Sequence, residues 1–292
     1  MIPSLNAVTA GAGLPLAEFI KLAAANNFVG VDFSIAAVAQ EVANHGYDAT
    51  AALFEQYKVL PAAFGLPVEW RKDEATYRQG LEALPALAKL AQDLDCTRCV
   101  TWVLPDNDEP VAEYAARSKR RFAEMAQILT DQGVRLGLEF LGPQHFRPHQ
   151  DNVWFYDLHG ALQVIDEIEA DHELENLGVL IDCWHWYTSG GTMMDLAATP
   201  LEKIVHVHIN DAPDLPLHEQ QDKERLLPGA SGIIDLVGFL KTLNALGYDG
   251  PVAVETFSSE LRAMNPAEAA RHAGKSMSQI FAAAGIEPLK LV

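Results

Sequence analysis

The sequence predicts an α/β fold: one eight-stranded (β/α)8 barrel spanning residues 1–292. Three observations carry this expectation. Short apolar runs alternate with longer stretches of helical periodicity along the whole chain, the pattern of βα units in a parallel sheet. No break in composition marks a linker, and 292 residues suit one barrel of this kind. The last four strand-like runs each carry a metal-ligating residue type near the carboxyl end: Glu139, Asp182, His208 and Glu255. That is the end at which a (β/α)8, or TIM, barrel keeps its active site. The rival fold is a doubly wound open sheet, which ordinarily has a G-x-G-x-x-G turn after its first strand. Gly11-Ala-Gly13 lacks that spacing.

Ile2 to Thr9 reads as the first strand, with Pro3 near its start, where a missing N–H is tolerated. Pro15 opens a helix to Asn26 that places Leu16, Phe19, Ile20 and Ala23 on one face. Phe28 to Phe33 is the second strand. Ile35 to Asn44 forms an additional short helix over one end of the barrel. Tyr47 to Phe64 reads mostly as helix, with Leu53, Tyr57 and Leu60 on one stripe, and Leu66 to Trp70 as the third strand. A helix from Glu74 to Leu94 contains Pro85, a kinking residue. Arg98 to Leu104 is the fourth strand and Pro105 to Asp108 a turn. A helix from Glu109 to Gln132 stops at Gly133, and Val134 to Phe140 is the fifth strand. Gly142 to Asn152 is a polar loop, and Val153 to Ala170 is helical. Gly178 to Cys183 is the sixth strand, Met194 to Lys203 contains a short helix, and Ile204 to Ile209 is the seventh strand. Asn210 to Ile234 has no clear period, and a loop of that length in a compact domain is ordinarily functional. Asp235 caps a helix to Leu246, Pro251 to Thr256 is the last strand, and Pro266 to Ala284 the closing helix.

Lysine and arginine total 21 against 40 acidic residues, a net charge of −19. Such a surface repels phosphate backbones, so no nucleic-acid partner is expected. No stretch approaches the ~20 apolar residues that span a bilayer, and the first residues lack a secretory pattern. The expectation is a cytoplasmic protein with no membrane partner. Cys96 and Cys99 form a lone C-x-x-C without a second pair, so they and Cys183 read as buried thiols. The sequence leaves a homo-oligomer open.

Glu139, Asp182 and Glu255 follow apolar strand residues, and His208 lies between Val207 and Ile209. Three carboxylates at one barrel mouth repel one another and are costly to bury unpaired. One divalent metal ion removes that difficulty, and this set suits Mn²⁺, Co²⁺, Zn²⁺ or Mg²⁺. His206 shares a strand face with His208, as a second ligand or, preferentially, a core partner. His185 stands just past the sixth strand, either placed to hydrogen-bond a substrate hydroxyl or carbonyl or packed beside Trp184 and Trp186. Trp184, Trp186 and Tyr187 would supply an apolar wall, either against a sugar ring or as filling for the barrel mouth. Arg225 is either a surface residue or is brought back over the metal to polarise a substrate oxygen. With Glu139 and Glu255 on opposite sides of a polyol, the set can move a proton through a metal-bound enediolate. Its return gives an isomer or epimer, and expulsion of a β-hydroxyl gives dehydration.

The segments Leu138-Glu-Phe-Leu-Gly142, Asp182-Cys-Trp-His-Trp-Tyr-Thr-Ser-Gly190, His208-Ile-Asn-Asp211, Asp222-Lys-Glu-Arg-Leu-Leu-Pro-Gly229 with Ile234-Asp-Leu236, and Val252-Ala-Val-Glu-Thr-Phe257 resemble the xylose-isomerase-like TIM barrels of sugar isomerases and epimerases. Within that family the likeness is nearest to the inosose (2-keto-myo-inositol) isomerases of inositol catabolism. The resemblance covers the back half strongly and the front half only as alternating strands and helices. It implies metal ligands at Glu139, Asp182, His208 and Glu255, manganese among the candidate metals, a substrate-contacting histidine at His185 and a loop arginine at Arg225. The substrate implied is a small keto-cyclitol or keto-sugar. His145 stands where ketose 3-epimerases of the group carry a further glutamate, which weighs against a free ketohexose. Pro228-Gly-Ala-Ser-Gly232 departs from the usual Pro-Gly-Glu-Gly run by one residue. The alternative is a dehydratase or lyase acting on a keto-inositol or dehydroshikimate-like substrate. A non-catalytic barrel is a third reading. The related metal-dependent nucleases need more histidine ligands and a basic groove.

Overall fold

A computed structural model describes residues 1–10, 13–149 and 152–291. Gly11 and Ala12, Gln150 and Asp151 of the polar loop, and Val292 at the end of the expected domain lie outside the described residues. Eight parallel strands close into a barrel in chain order: β1 (Ile2–Asn6), β2 (Gly30–Phe33), β3 (Leu60–Gly65), β4 (Arg98–Val103), β5 (Arg135–Phe140), β6 (Leu177–Asp182), β7 (Ile204–Ile209) and β8 (Pro251–Val254). β8 pairs with β1 and closes the ring. Helices lie between the strands: α1 (Ala7–Ala10), α2 (Leu16–Ala25), α3 (Ile35–His45), α4 (Tyr47–Tyr57), α5 (Glu74–Asp93), α6 (Val111–Thr130), α7 (Leu158–His172), α8 (Cys183–Thr188), α9 (Met193–Ala197), α10 (Leu236–Ala245), α11 (Ser259–Ala263) and α12 (Pro266–Ala284). This is the expected (β/α)8 barrel. None of the described helices is long and apolar enough to cross a membrane.

Strands β6 and β7 are buried at every position, because one face meets the barrel interior and the other the helices. The apolar faces of the helices close the outer layer. Val164, Ile165 and Ile168 of α7 and Phe239, Leu240 and Leu243 of α10 are buried. Asp235 caps α10 through the Gly238 N–H at 2.8 Å, and Gly133 ends α6 at φ 65°. Helix α5 is continuous through Pro85. All three cysteines are free and buried.

Two expectations are corrected. The third strand is Leu60–Gly65, not Leu66 to Trp70, and the preceding helix ends at Tyr57 rather than Phe64. Lys58 in a left-handed conformation (φ 53°) stops that helix. Pro61, the apparent obstacle to a strand, sits beside a register shift against β2, where a missing N–H is tolerated. The first strand ends at Asn6 rather than Thr9. The Asn6 side chain accepts the Val8 N–H at 3.0 Å and turns the chain into α1.

Candidate active site

The four expected ligand residues meet at the carboxyl end of the barrel. Glu139 is the penultimate residue of β5, Asp182 the last of β6, His208 lies near the end of β7, and Glu255 follows β8. Their ligand atoms all lie within 4.8 Å of one another. Nδ1 of His208 is 3.4 Å from a Glu255 oxygen, 3.9 Å from Asp182 and 4.0 Å from Glu139. That nitrogen is buried and has no hydrogen-bond partner, as is Oε1 of Glu139. Buried polar atoms are ordinarily paired. Two orphaned atoms, from Glu139 and His208, converge with the carboxylates of Asp182 and Glu255 in a donor set that could hold a divalent cation.

The carboxylates have different surroundings. Glu255 is buried, which raises its pKa, but His208 and Arg225 outweigh that effect and hold it at about 2. Its Oε1 accepts from Asn6 Nδ2 at 3.3 Å and its Oε2 from Arg225 Nη1 at 3.0 Å. Glu139 is pushed well above the ordinary range by burial and by the nearby Glu255 charge. Burial also raises Asp182, against the pull of Arg225. Asp182 Oδ1 caps α8 through the Trp184 N–H at 2.7 Å, and both its oxygens accept from Asn210 Nδ2 at 3.2 Å. Burial disfavours His208 protonation, yet Glu255 and Asp32 raise its pKa well above the usual value.

His185 projects from α8 into the site, 3.7 Å from Glu139. Arg225 Nη2 faces its Nε2 at 3.0 Å, and the Gly142 N–H faces its Nδ1 at 3.4 Å. Burial first, then the Arg225 charge, depress its pKa well below that of a free imidazole. The approach is close: a Cβ on Gly142 would stand 2.1 Å from the His185 carbonyl oxygen. Arg225 is not on the surface. It is 1% exposed and donates to Asp182 at 2.8 Å, to Glu255, and to Asp222 at 2.5 Å. Its long loop is pinned. Asp211 and Leu226 exchange backbone hydrogen bonds at 2.8 Å in both directions. The buried Asp211 carboxylate accepts the N–H groups of Ala212, Ser231, Gly232 and Ile234.

His206 is a hydrogen-bond partner in the barrel core, 3.0 Å from Asp32. Asp32 and Asn6, with Asn210, are the polar residues of the site that sequence reasoning passed over. Oδ2 of Asp32 faces Nε2 of His206 and Nε2 of His208 at 3.0 and 3.1 Å, and accepts from Asn6 at 3.2 Å. Burial would raise Asp32, but the two histidines hold it well below the carboxylate range. Asp32, His206 and His208 thus form a second group with metal-ligand spacing. The available signal was polarity at strand ends: Asn6 closes β1, and Asp32 interrupts Val31 and Phe33 of β2.

A cavity of about 230 Å³ opens onto the cluster. Trp102, Leu104, Leu141, Phe146 and Phe257 form its apolar side, and Glu139, His185, Asp222, Arg225 and Glu255 its polar side. A neighbouring cavity of about 490 Å³ toward β1–β4 shares Trp102, Glu139 and Glu255. Of the two readings of the tryptophans, a sugar-facing wall or filling, the second holds, and other residues supply the apolar side of the cavity. Trp184 and Trp186 are buried beneath the site, Trp186 against Phe239 at 5.3 Å. His145 is exposed, with its ring 4.2 Å from that of Phe146.

Comparison with known proteins agrees with this architecture. An inosose isomerase of Halalkalibacterium halodurans is 27% identical over 79% of this chain and 78% of its own length. A 3-dehydroshikimate dehydratase of Pseudomonas aeruginosa is 34% identical over 49% of this chain, but only 20% of its own length. The solved structure of a xylose isomerase domain protein from Alicyclobacillus acidocaldarius superposes with a TM-score of 0.87 at 32% identity, covering 98% of this chain and 99% of the other. The profile of the family described as "Xylose isomerase-like TIM barrel" matches residues 10–280. The candidate metal cluster lies at the carboxyl end of the strands, where barrels of this kind keep their active sites, and the chain belongs to the xylose isomerase-like TIM barrel family.

Proposed function

We propose that this protein is a divalent-metal-dependent isomerase or epimerase of an uncharged keto-cyclitol or keto-sugar, of the inosose isomerase type. The observation that carries the reading is the orphaned Nδ1 of His208 facing Glu139, Asp182 and Glu255, two of which also line the cavity. Glu139, Asp182, His208 and Glu255 hold the ion, and Mn²⁺, Co²⁺, Zn²⁺ and Mg²⁺ all suit the set. When bound, a divalent ion polarises a ketone and its neighbouring hydroxyl and makes the adjacent C–H more acidic.

The protein's own groups do the rest. One carboxylate, Glu139 or Glu255, removes the proton next to the carbonyl, and the other can return one from across the mouth. Return to the same carbon epimerises the substrate, and return to its neighbour isomerises it. Arg225 and His185 orient substrate oxygens on the polar side, and Trp102 and Phe257 shield the C–H face from water. Among the residues lining the smaller cavity, Arg225 is the one fixed cation, and Asp182, Asp222 and Glu255 already engage it. A phosphorylated or carboxylated substrate would meet these acids, which favours a neutral polyol over a dehydroshikimate-like acid.

The test is incubation of inosose and related keto-polyols in D₂O with metal-loaded protein. Deuterium gained next to the carbonyl without loss of water supports the reading. Loss of water assigns the dehydratase alternative, for which the partial likeness to a dehydratase speaks.

A further inference from the structure

We infer that Asp32 is the positioning residue of the metal centre, setting the tautomer of His208 directly and the orientation of Glu255 through Asn6. The inference rests on the metal-site reading above and extends it to a residue that offers the ion no contact of its own. An imidazole that ligates a metal is neutral and carries one proton. Asp32 Oδ2 lies 3.1 Å from Nε2 of His208, so the proton is held on Nε2 and the Nδ1 lone pair is left toward Glu139, Asp182 and Glu255. The same oxygen faces Nε2 of His206 at 3.0 Å, a second contact that holds the Asp32 carboxylate in place. Asn6 bridges outward, donating to Asp32 at 3.2 Å and to Glu255 Oε1 at 3.3 Å. That leaves Glu255 Oε2 as the oxygen nearer His208 Nδ1. One buried carboxylate from β2 therefore orders two ligands, from β7 and from the end of β8. On this view the Asp32–His206–His208 group is the support of one metal centre and not a second one. A carboxylate behind a ligating histidine fixes its ring and raises its basicity.

Two measurements test this without reading turnover. In zinc-loaded wild-type protein, imidazole nitrogen NMR should show His208 coordinated through Nδ1 with its proton on Nε2. Coordination through Nε2 overturns the inference. Zinc affinity, from competition with a chromophoric chelator, should fall about 10- to 100-fold in Asp32→Asn, the usual effect of losing such a partner. An Asp32→Asn protein that binds zinc as tightly as wild type overturns the inference while leaving the metal site intact. A His208→Ala control separates the two readings. If wild type and His208→Ala bind zinc alike, the metal-site reading fails and takes this inference with it.

Discussion

Nη1 of Arg225 lies 3.0 Å from Oε2 of Glu255, the carboxylate oxygen that also faces His208 Nδ1. The same Nη1 is 2.8 Å from Asp182. A permanently charged guanidinium is thus built into the carboxylate cluster. It neutralises the acids that a metal would share and draws electron density from the same oxygens. Arg225 therefore has two opposed effects, stabilising the metal-free fold and competing with the ion.

Arg225→Met should expose that opposition. Removing one partner from a buried ion network costs about 3–5 kcal/mol, because the remaining charges stay buried. Metal-free Arg225→Met should melt well below wild type, and added zinc should raise its melting temperature more than it raises that of wild type. An equal metal-induced shift in the two proteins would show that Arg225 does not compete with the ion.

The pH dependence of the metal-stripped protein should be inverted by metal. Glu139 and Asp182 are held above their ordinary values, so stability falls as rising pH ionises them, beginning near 4.5 for Glu139. His208 is held above 6.5, so its contribution is complete below 6.5 and is lost as pH rises through its raised value. Glu255 is held low, so its contribution is present above 4.5 and disappears as pH falls toward about 2. The stripped protein should be most stable in mild acid. Metal binding requires ionised carboxylates and a neutral imidazole, so loading should move the optimum upward. Melting curves across pH, with chelator and with zinc, read this directly. A stripped protein that gains stability steadily into alkali would contradict it.

Much of this arrangement was legible in the sequence where one strand brings its own candidate ligand. Glu139, Asp182, His208 and Glu255 each follow or interrupt an apolar run, and parallel pairing carries all four to one end. Arg225 was harder to place, since its loop has no period and its partners include two distant carboxylates, Asp182 and Glu255, while Asp211 pins the loop. Asp32 and Asn6 were passed over because each becomes significant only when closure of the barrel brings β1 and β2 round to β7 and β8. The third strand was misplaced for a local reason. Leu60 to Gly65 contains Pro61 and two alanines, which mask both strand propensity and alternation. Trp184, Trp186 and Tyr187 read equally as a wall against a sugar ring or as filling, and because α8 begins at Cys183 both indoles end up buried as filling.

Asp211→Ala should weaken substrate handling from a position outside the cavity. Its carboxylate accepts four backbone N–H groups across the loop, and each becomes unsatisfied on truncation. The loop that carries Arg225 should loosen. The expected result is a higher KM and faster proteolytic cleavage between Pro213 and Gly232, with zinc affinity changed far less than KM. Loss of zinc with unchanged proteolysis would place Asp211 in the metal site instead.

His185→Ala should retain metal and lose turnover. His185 approaches Glu139 at 3.7 Å and Arg225 at 3.0 Å but is not one of the four residues of the candidate metal cluster. Elemental analysis beside steady-state kinetics decides the matter. Metal lost with the imidazole would make His185 a ligand.

The last prediction separates the two glutamates. Glu139 Oε1 has no hydrogen-bond donor, while both oxygens of Glu255 accept from neighbours. Glutamine keeps an oxygen donor but removes the basicity that proton transfer needs. Each of Glu139→Gln and Glu255→Gln should therefore retain much of the bound metal while turnover falls about 10²- to 10⁴-fold, the range for general acid–base catalysis. Solvent exchange distinguishes their parts. If one residue removes the proton and the other returns it, the variant lacking the first should not wash deuterium into substrate. The variant lacking the second should still exchange substrate hydrogen while forming little product. Equal loss of exchange in both would mean that proton removal needs both carboxylates, and would overturn the division of roles; loss in one alone, with turnover intact in the other, would mean that a single carboxylate serves both faces. Intact turnover in either variant, with metal bound, would remove that residue from the chemistry and leave His185 as the base to examine.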